Sequence, residues 1–239
     1  FESRTNEMCG FNIAGPKSRK ILQRLSNQDL SNNNWPFMRS GNLSIAGVTC
    51  LALRISFTGD LGWEIYCKAN DQITVYNALI QEAFNENGGP VGSRALMSLR
   101  IEKSYGSWGR EYSPEVWPHE CGLDMLCKVD KEFLNKKNFL KNLENKPRER
   151  LVLIHLNEDD CNSSNADATG GEPIFKNGKG LGRITSGAYG YSVGMSLALG
   201  YVKDVGPGDT VDVMVLGKPH RGKILGSPPF DAEGKILRA

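Results

Sequence analysis

Apolar and polar positions repeat with two different periods along this chain, and the change of period divides it. Ile21, Leu22 and Leu25 follow Gly15-Pro16-Lys17-Ser18 at helical spacing, which predicts a short amphipathic helix starting at the proline. Asn, Asp and Ser crowd residues 27–36 and predict a loop. Residues 43–48 and 51–57 alternate apolar with small or polar side chains, so they read as a β-hairpin around a glycine-containing turn. The glycine-rich turn at 58–62 then runs into another short strand. Between 71 and 86, Ile73, Tyr76, Ala78, Leu79, Ile80 and Ala83 share one broad face; this predicts a helix that Gly88-Gly89-Pro90 ends. A further helix is predicted over 93–103, with Leu96, Leu99 and Ile101 inward and Arg94, Arg100 and Glu102 at polar positions. Interleaved strands and helices imply an α+β layer architecture.

Around 142–150 the composition shifts to Asn, Lys, Pro, Arg and Glu, a linker signal. Past it, residues 151–156, 172–175, 181–185, 197–202, 210–215 and 220–225 are short strand candidates separated by turn residues. Six short strands without a helix indicate a small barrel or sandwich. The polar stretch 157–171 is expected to be a mobile loop.

Composition narrows the class without supplying chemistry. At 239 residues, 39% hydrophobic and 23% charged, the chain is an ordinary globular protein with room for one large or two modest domains. Its 29 Lys+Arg against 27 Asp+Glu leave a net charge of +2, which argues against a nucleic-acid binder relying on phosphate neutralisation. No stretch reaches the roughly 20 apolar residues of a membrane helix. Six cysteines, Cys9, Cys50, Cys67, Cys121, Cys127 and Cys161, form no CxxC pair. They read as reduced thiols in a cytosolic or matrix-like compartment rather than a zinc ribbon or disulfide framework. Phe1 replaces an initiator Met and no secretory signal follows, so the chain reads as processed, truncated or excised from something longer.

Few residues carry candidate chemistry. Glu64 follows an aromatic residue after a glycine-rich turn, where a carboxylate is suited to accept a fork of N–H donors from an aminopyrimidine-like ring; a turn-capping or salt-bridged glutamate is the plain alternative. Arg94 and Arg100 lie six apart and cannot share one small site. Arg100 suits a carboxylate or phosphate clamp and equally a bridge between elements. Gly88-Gly89-Pro90-Val91-Gly92 lacks both the Walker ending and the dinucleotide glycine pattern. Tyr105, Trp108 and Tyr112 stand in a loop with glycines, where either the protein's own core or a planar ligand packs on them. His119 and Cys121 have no second ligand cluster, so no metal is expected. His155 and His220 fall within strand candidates, and no Ser-His-Asp arrangement can be assembled.

Four ordered segments carry a family resemblance: Phe11-Asn12-Ile13-Ala14-Gly15-Pro16-Lys17-Ser18-Arg19, Ser56-Phe57-Thr58-Gly59-Asp60-Leu61-Gly62-Trp63-Glu64-Ile65, Ser98-Leu99-Arg100-Ile101-Glu102-Lys103, and Gly182-Arg183-Ile184-Thr185-Ser186-Gly187-Ala188-Tyr189-Gly190 continuing to Leu197-Ala198-Leu199-Gly200-Tyr201-Val202. The chain resembles, over nearly its whole length, the aminomethyltransferase-like folate-binding module of sarcosine and dimethylglycine dehydrogenases, a relative of the glycine-cleavage T-protein. The resemblance implies an α+β fold, a mixed α/β (ferredoxin-like) layer domain over 1–146 followed by a small antiparallel β-barrel over 147–239. It also implies a tetrahydrofolate site in which Glu64 holds the aminopyrimidine side of the pterin. Arg100 would lie near the p-aminobenzoyl-glutamate portion, with Tyr105 and Trp108 lining the same cavity. An imine made from a small N-methyl amine by an upstream flavin (FAD) domain in cis would yield 5,10-methylene-tetrahydrofolate there, in the mitochondrial matrix of a eukaryote or the cytoplasm of a bacterium. The family's N-terminal stretch, with its reaction-assisting aspartate, has no counterpart after Phe1. Met125 stands where a tryptophan is expected, and Ser104 replaces the usual glycine. The alternative on the same scaffold is a non-catalytic regulatory protein, like the regulatory subunit of pyruvate dehydrogenase phosphatase. A third family, folate-binding proteins of iron–sulfur maintenance and RNA modification, requires a cysteine motif absent from 103–111.

Overall fold

The computed structural model describes residues 2–156 and 167–239. They divide into two compact units, Phe1–Leu96 with Asp231–Ala239, and Met97–Phe230. The α+β class, with a layered domain and a closed antiparallel barrel, is the one the sequence implies. The expected domain boundary at 146–147 falls inside the second unit, just ahead of the first barrel strand.

In the first unit, β1 (Met8–Ala14), α1 (Ser18–Leu25), β2 (Ser40–Ile45), β3 (Val48–Leu53), β4 (Gly62–Lys68) and α2 (Gln72–Asn85) build a four-stranded sheet in the order β1-β4-β3-β2, every neighbour antiparallel. Period-two alternation decides which face is covered. Leu43, Ile45, Cys50, Ala52, Trp63, Ile65 and Cys67 point to the helices and form one core with Leu22, Val75 and Leu79. Ile73 and Tyr76, expected on the inner face of α2, are instead exposed, and Val75 takes that place. The hairpin turn also sits earlier than expected. Ala46 and Gly47 both have positive φ (50° and 84°), the pairing a two-residue type I′ loop requires, so β3 starts at Val48 and ends at Leu53. The strand β1 has no counterpart in the sequence reading. Helices α1 and α2 are tied by Glu86, which accepts Lys20 Nζ at 2.7 Å and Arg24 Nη2 at 2.8 Å.

The second unit begins within α3 (Ser93–Glu102) and holds α4 (Lys136–Leu143) and six strands: β5 (Arg150–Leu156), β6 (Pro173–Lys176), β7 (Lys179–Gly190), β8 (Met195–Val202), β9 (Thr210–Val215) and β10 (Lys218–Leu225). They close in the order β10-β5-β8-β7-β6-β9. Each predicted strand is present, β9 with unchanged bounds. Gly182 shows why glycines recur here: a Cβ on it would stand 1.8 Å from the Tyr201 carbonyl oxygen, so the close approach of β7 to β8 admits no side chain. The loop expected over 157–171 lies largely outside the described residues, as does Cys161. The short helix α5 (Lys235–Arg238) belongs to the first unit. No helix among the described residues is long and apolar enough to cross a membrane.

The stretch expected as a linker is pinned. Arg148 grips Glu120 with Nε to Oε1 at 2.8 Å and Nη2 to Oε2 at 2.7 Å, while the Arg148 and Trp117 backbone N–H groups donate to the same carboxylate. These donors hold the Glu120 carboxyl down at about 2, from an ordinary 4.5. A depressed carboxylate contributes stability that is complete above its unfolded value and fades as pH falls from 4.5 through 2. Glu120→Gln should therefore cost about 2 kcal/mol at pH 7, discounted for the exposed Arg148, and much less at pH 2, where the folded carboxyl is about half protonated. Urea unfolding of both proteins across that range tests it; equal losses at both ends would refute the ion-pair account.

Candidate functional site

Glu64 stands on β4 between Trp63 and Ile65, so alternation turns it to the face that α1 and α2 leave open. Directly opposite lie Asn12 on β1 and Leu53 on β3. Backbone bonds from Ala69 N–H to the Glu7 oxygen and from Gly15 N–H to the Leu61 oxygen mark the odd-numbered rows of β1 as hydrogen-bonded. Asn12 and Glu64 thus share a non-bonded row, the kind in which facing side chains approach closest. Tyr66, next on the same face, donates its phenol to Glu64 Oε2 at 2.7 Å, and this bond, with burial, pushes the phenol's pKa up. Its ring lies over Gly10, where a Cβ would come within 3.1 Å. Glu64 Oε1 accepts no donor among the described residues. A cavity of about 170 Å³ is lined by Asn12, Ser56, Phe57, Thr58, Trp63 and Glu64.

The turn that delivers β4 is fixed by close approach. A Cβ on Gly62 would stand 2.8 Å from the Ile13 carbonyl oxygen, and Ser56 and Thr58 exchange a hydroxyl bond at 2.8 Å. On the far face two cations lie against Trp63, with the Arg54 guanidinium 4.9 Å and the Arg19 guanidinium 5.4 Å from its ring centroid and both donating to Asn32 Oδ1. Arg54 has no exposed surface. It donates to the Trp35 carbonyl at 2.8 Å and to Asn32 Oδ1 at 3.0 Å, and burial lowers its pKa to about 10. The position of Glu64 is inherited from this packing on its neighbour.

Arg100, Tyr105 and Trp108 belong to the second unit. Arg100 and Glu102, expected at polar positions of α3, are both fully buried, since each finds internal partners that replace water. Arg100 Nη1 donates to Glu111 at 3.0 Å and to the Tyr105 carbonyl at 2.9 Å, whereas Nε and Nη2 are buried without a partner among the described residues. Glu111, which the sequence reading did not single out, is the hub. Its Oε2 accepts from Arg100, the Ser107 N–H at 2.7 Å and the Ser107 hydroxyl at 3.1 Å. Its Oε1 accepts from Thr185 at 2.7 Å and Ser186 at 2.5 Å. Burial opposes ionisation of Glu111, but these donors outweigh it and hold the carboxyl below its usual range. Burial lowers the Arg100 guanidinium, and Glu111 offsets part of that. Tyr105 is half-buried, and Trp108 keeps 78% of its surface exposed. A Cβ on Gly106 would strike the Tyr112 ring at 2.6 Å, so the aromatic loop depends on a glycine there. No group of three metal-ligating side chains exists among the described residues.

Comparison with known proteins places these features in a family context. The profile of the GCVT N-terminal domain matches residues 1–131, and that of the glycine cleavage T-protein C-terminal barrel domain matches 150–231. Human mitochondrial dimethylglycine dehydrogenase is 36% identical over 231 residues, covering 94% of this chain and 26% of that protein. Mouse mitochondrial sarcosine dehydrogenase is 30% identical, with 95% and 25% covered. An aminomethyltransferase of Desulfitobacterium hafniense is 29% identical, covering 98% of this chain and 63% of its own length. The chain thus spans about a quarter of the dehydrogenase relatives. The crystal structure of glycine cleavage system aminomethyltransferase T from Bartonella henselae shares the fold, with a TM-score of 0.80 at 23% identity over 94% of this chain and 60% of that one.

Two stability outcomes follow from the local geometry. Arg100→Met should cost about 3–5 kcal/mol, because it strands a fully buried carboxylate. Ser104, where the resemblance leads one to expect glycine, has φ +59° at the end of α3, so Ser104→Gly should add about 0.5–1 kcal/mol. Urea midpoints read both; an unchanged midpoint for Arg100→Met would deny the pair its structural role.

Proposed function

The chain belongs to the glycine cleavage T-protein family, and on that premise we propose that it is the tetrahydrofolate-binding one-carbon transfer module of a flavin-dependent sarcosine or dimethylglycine dehydrogenase-like protein. The leaning toward the dehydrogenase branch rests on identity, 36% to human dimethylglycine dehydrogenase against 29% to the Desulfitobacterium aminomethyltransferase. On this reading residues 1–146 form the folate-binding domain and 147–239 the terminal barrel. The flavin domain lies elsewhere in the same polypeptide, and the protein works in the mitochondrial matrix of a eukaryote or the cytoplasm of a bacterium.

The observation that carries the reading is the Glu64 carboxylate. It stands on an open sheet face beside a cavity, with one oxygen taken by Tyr66 and the other without a donor among the described residues. An acceptor-only group of that kind fits the adjacent N–H donors of an aminopyrimidine. Asn12, in the row opposite, supplies a second polar contact. Arg100, Tyr105 and Trp108, which the resemblance assigns to the p-aminobenzoyl-glutamate portion, belong to the second unit, where Arg100 is fully buried with Nη1 committed to Glu111 and the Tyr105 carbonyl. When bound, tetrahydrofolate would supply two nitrogens able to take up the methylene carbon of an imine as 5,10-methylene-tetrahydrofolate, the imine nitrogen leaving as the free amine. The residues of this chain orient it and set the electrostatics around it.

Calorimetric titration of tetrahydrofolate into the parent and Glu64→Gln tests the assignment. The variant should bind about 10- to 100-fold more weakly, because an amide cannot accept both donors. Equal affinities would remove Glu64 from the site, and absence of binding by the parent would overturn the folate reading.

A further inference from the structure

We propose that Cys9 and Cys67 form a dithiol–disulfide couple, a modification site for small-molecule disulfide oxidants that staples β1 to β4. Independent features of the sheet converge on this pair. The two residues are direct cross-strand partners, and their Sγ atoms already stand 3.3 Å apart. Their row is one of the hydrogen-bonded ones, since the Ala69 N–H to Glu7 oxygen bond fixes the row two residues away. In such rows the Cα atoms lie about 5.5 Å apart, within the most common Cα spacing of disulfides. Bond formation keeps the register and asks the sulfurs to close by about 1.2 Å, with the facing Cβ atoms, about 5.5 Å apart in such a row, drawing in toward the roughly 4 Å of a disulfide.

Access is graded across the cluster. Cys9 is partly exposed, whereas Cys67 and Cys50 are buried. Burial pushes the Cys67 thiol up to about 12 and the Cys50 thiol to about 11, so both are protonated near neutrality. Cys9 is accordingly the sulfur that meets an oxidant. Its thiolate attacks one sulfur of an R–S–S–R oxidant, forms a mixed disulfide and releases the first RS⁻. The Cys67 thiol, losing its proton, attacks Cys9 Sγ and expels the second RS⁻. Two protein thiols are oxidised and one external disulfide is reduced to two thiols, the two protons given up by Cys9 and Cys67 passing to the two RS⁻ groups. Cys50 lies on the neighbouring strand beside Cys67 and is the competing partner. The staple sits three rows from Asn12 and Glu64, on the same strand pair. The proposal stands whether or not folate is the ligand of that face.

Incubation of the folded chain in glutathione redox buffers, followed by acid quench, intact mass and peptide mapping, tests it. The parent and Cys50→Ser should lose 2 Da through a Cys9–Cys67 link, and the oxidised parent should melt at higher temperature than the reduced one. Cys9→Ser, and Cys9→Ala should the serine variant fold poorly, should lack both the link and the melting shift. A parent that keeps Cys9 and Cys67 reduced in buffers that oxidise the urea-unfolded chain would overturn the proposal. So would a map joining Cys50 to Cys67 in place of the predicted pair.

Discussion

A carboxylate with no exposed surface has to recover its hydration from the protein, and Glu111 does so by drawing donors from separate parts of the second unit. Arg100 reaches it from the end of α3, Ser107 from the aromatic loop, and Thr185 and Ser186 from β7. Tyr201 on β8 donates to its backbone oxygen at 2.6 Å. Desolvating the pair is worthwhile only if all these donors are present together. Barrel, loop and helix end are thereby coupled, since the loop's carboxylate rests on donors that β7 and β8 hold in register. The aromatic loop is for this reason a barrel-dependent element, although no strand belongs to it.

The first unit meets the same difficulty with different means. Arg54 is as deeply buried as Arg100 but has carbonyls, an amide and a tryptophan face in place of a carboxylate. Its pKa falls because burial desolvates the guanidinium and the like charge of Arg19 stands nearby. Because Trp63 and Glu64 are consecutive on β4, what holds the indole on the covered face also sets the carboxylate on the open one. The core and the candidate site are therefore two sides of one strand.

Much of this was legible in the sequence, and the limits are physical. The barrel strands were readable because alternation and turn residues are local signals, as at β9. The strand β1 escaped although Cys9, Phe11 and Ile13 alternate with Gly10, Asn12 and Ala14, because three half-buried positions make a short signal and its pairing with β4 joins residues 48 to 60 apart. The open face of β4 follows from period two, so Glu64 was found. Its partner Asn12 and the cysteine pair depend on that distant register and were not. Arg100 and Glu102 were assigned to a polar face because a charged side chain is ordinarily exposed. Their burial depends on Glu111, Ser192 and other groups that no local pattern brings to them.

The groups around Glu64 also constrain what kind of catalysis the proposed function admits. Ser56 and Thr58 hydroxyls bond each other rather than a base, and the phenol of Tyr66 is pushed toward staying protonated. Among the described residues that line this face, no hydroxyl or thiol is paired with a histidine. A covalent intermediate on the protein lacks an activated nucleophile here. What the face does offer is a fixed acceptor, an opposed amide and an apolar wall, the equipment for holding a ring at one angle. If the ligand and an incoming imine carry the reacting atoms, orientation is the contribution left for the chain to make. Orientation is also what the Trp63 packing, the Gly62 approach and the β1–β4 register supply.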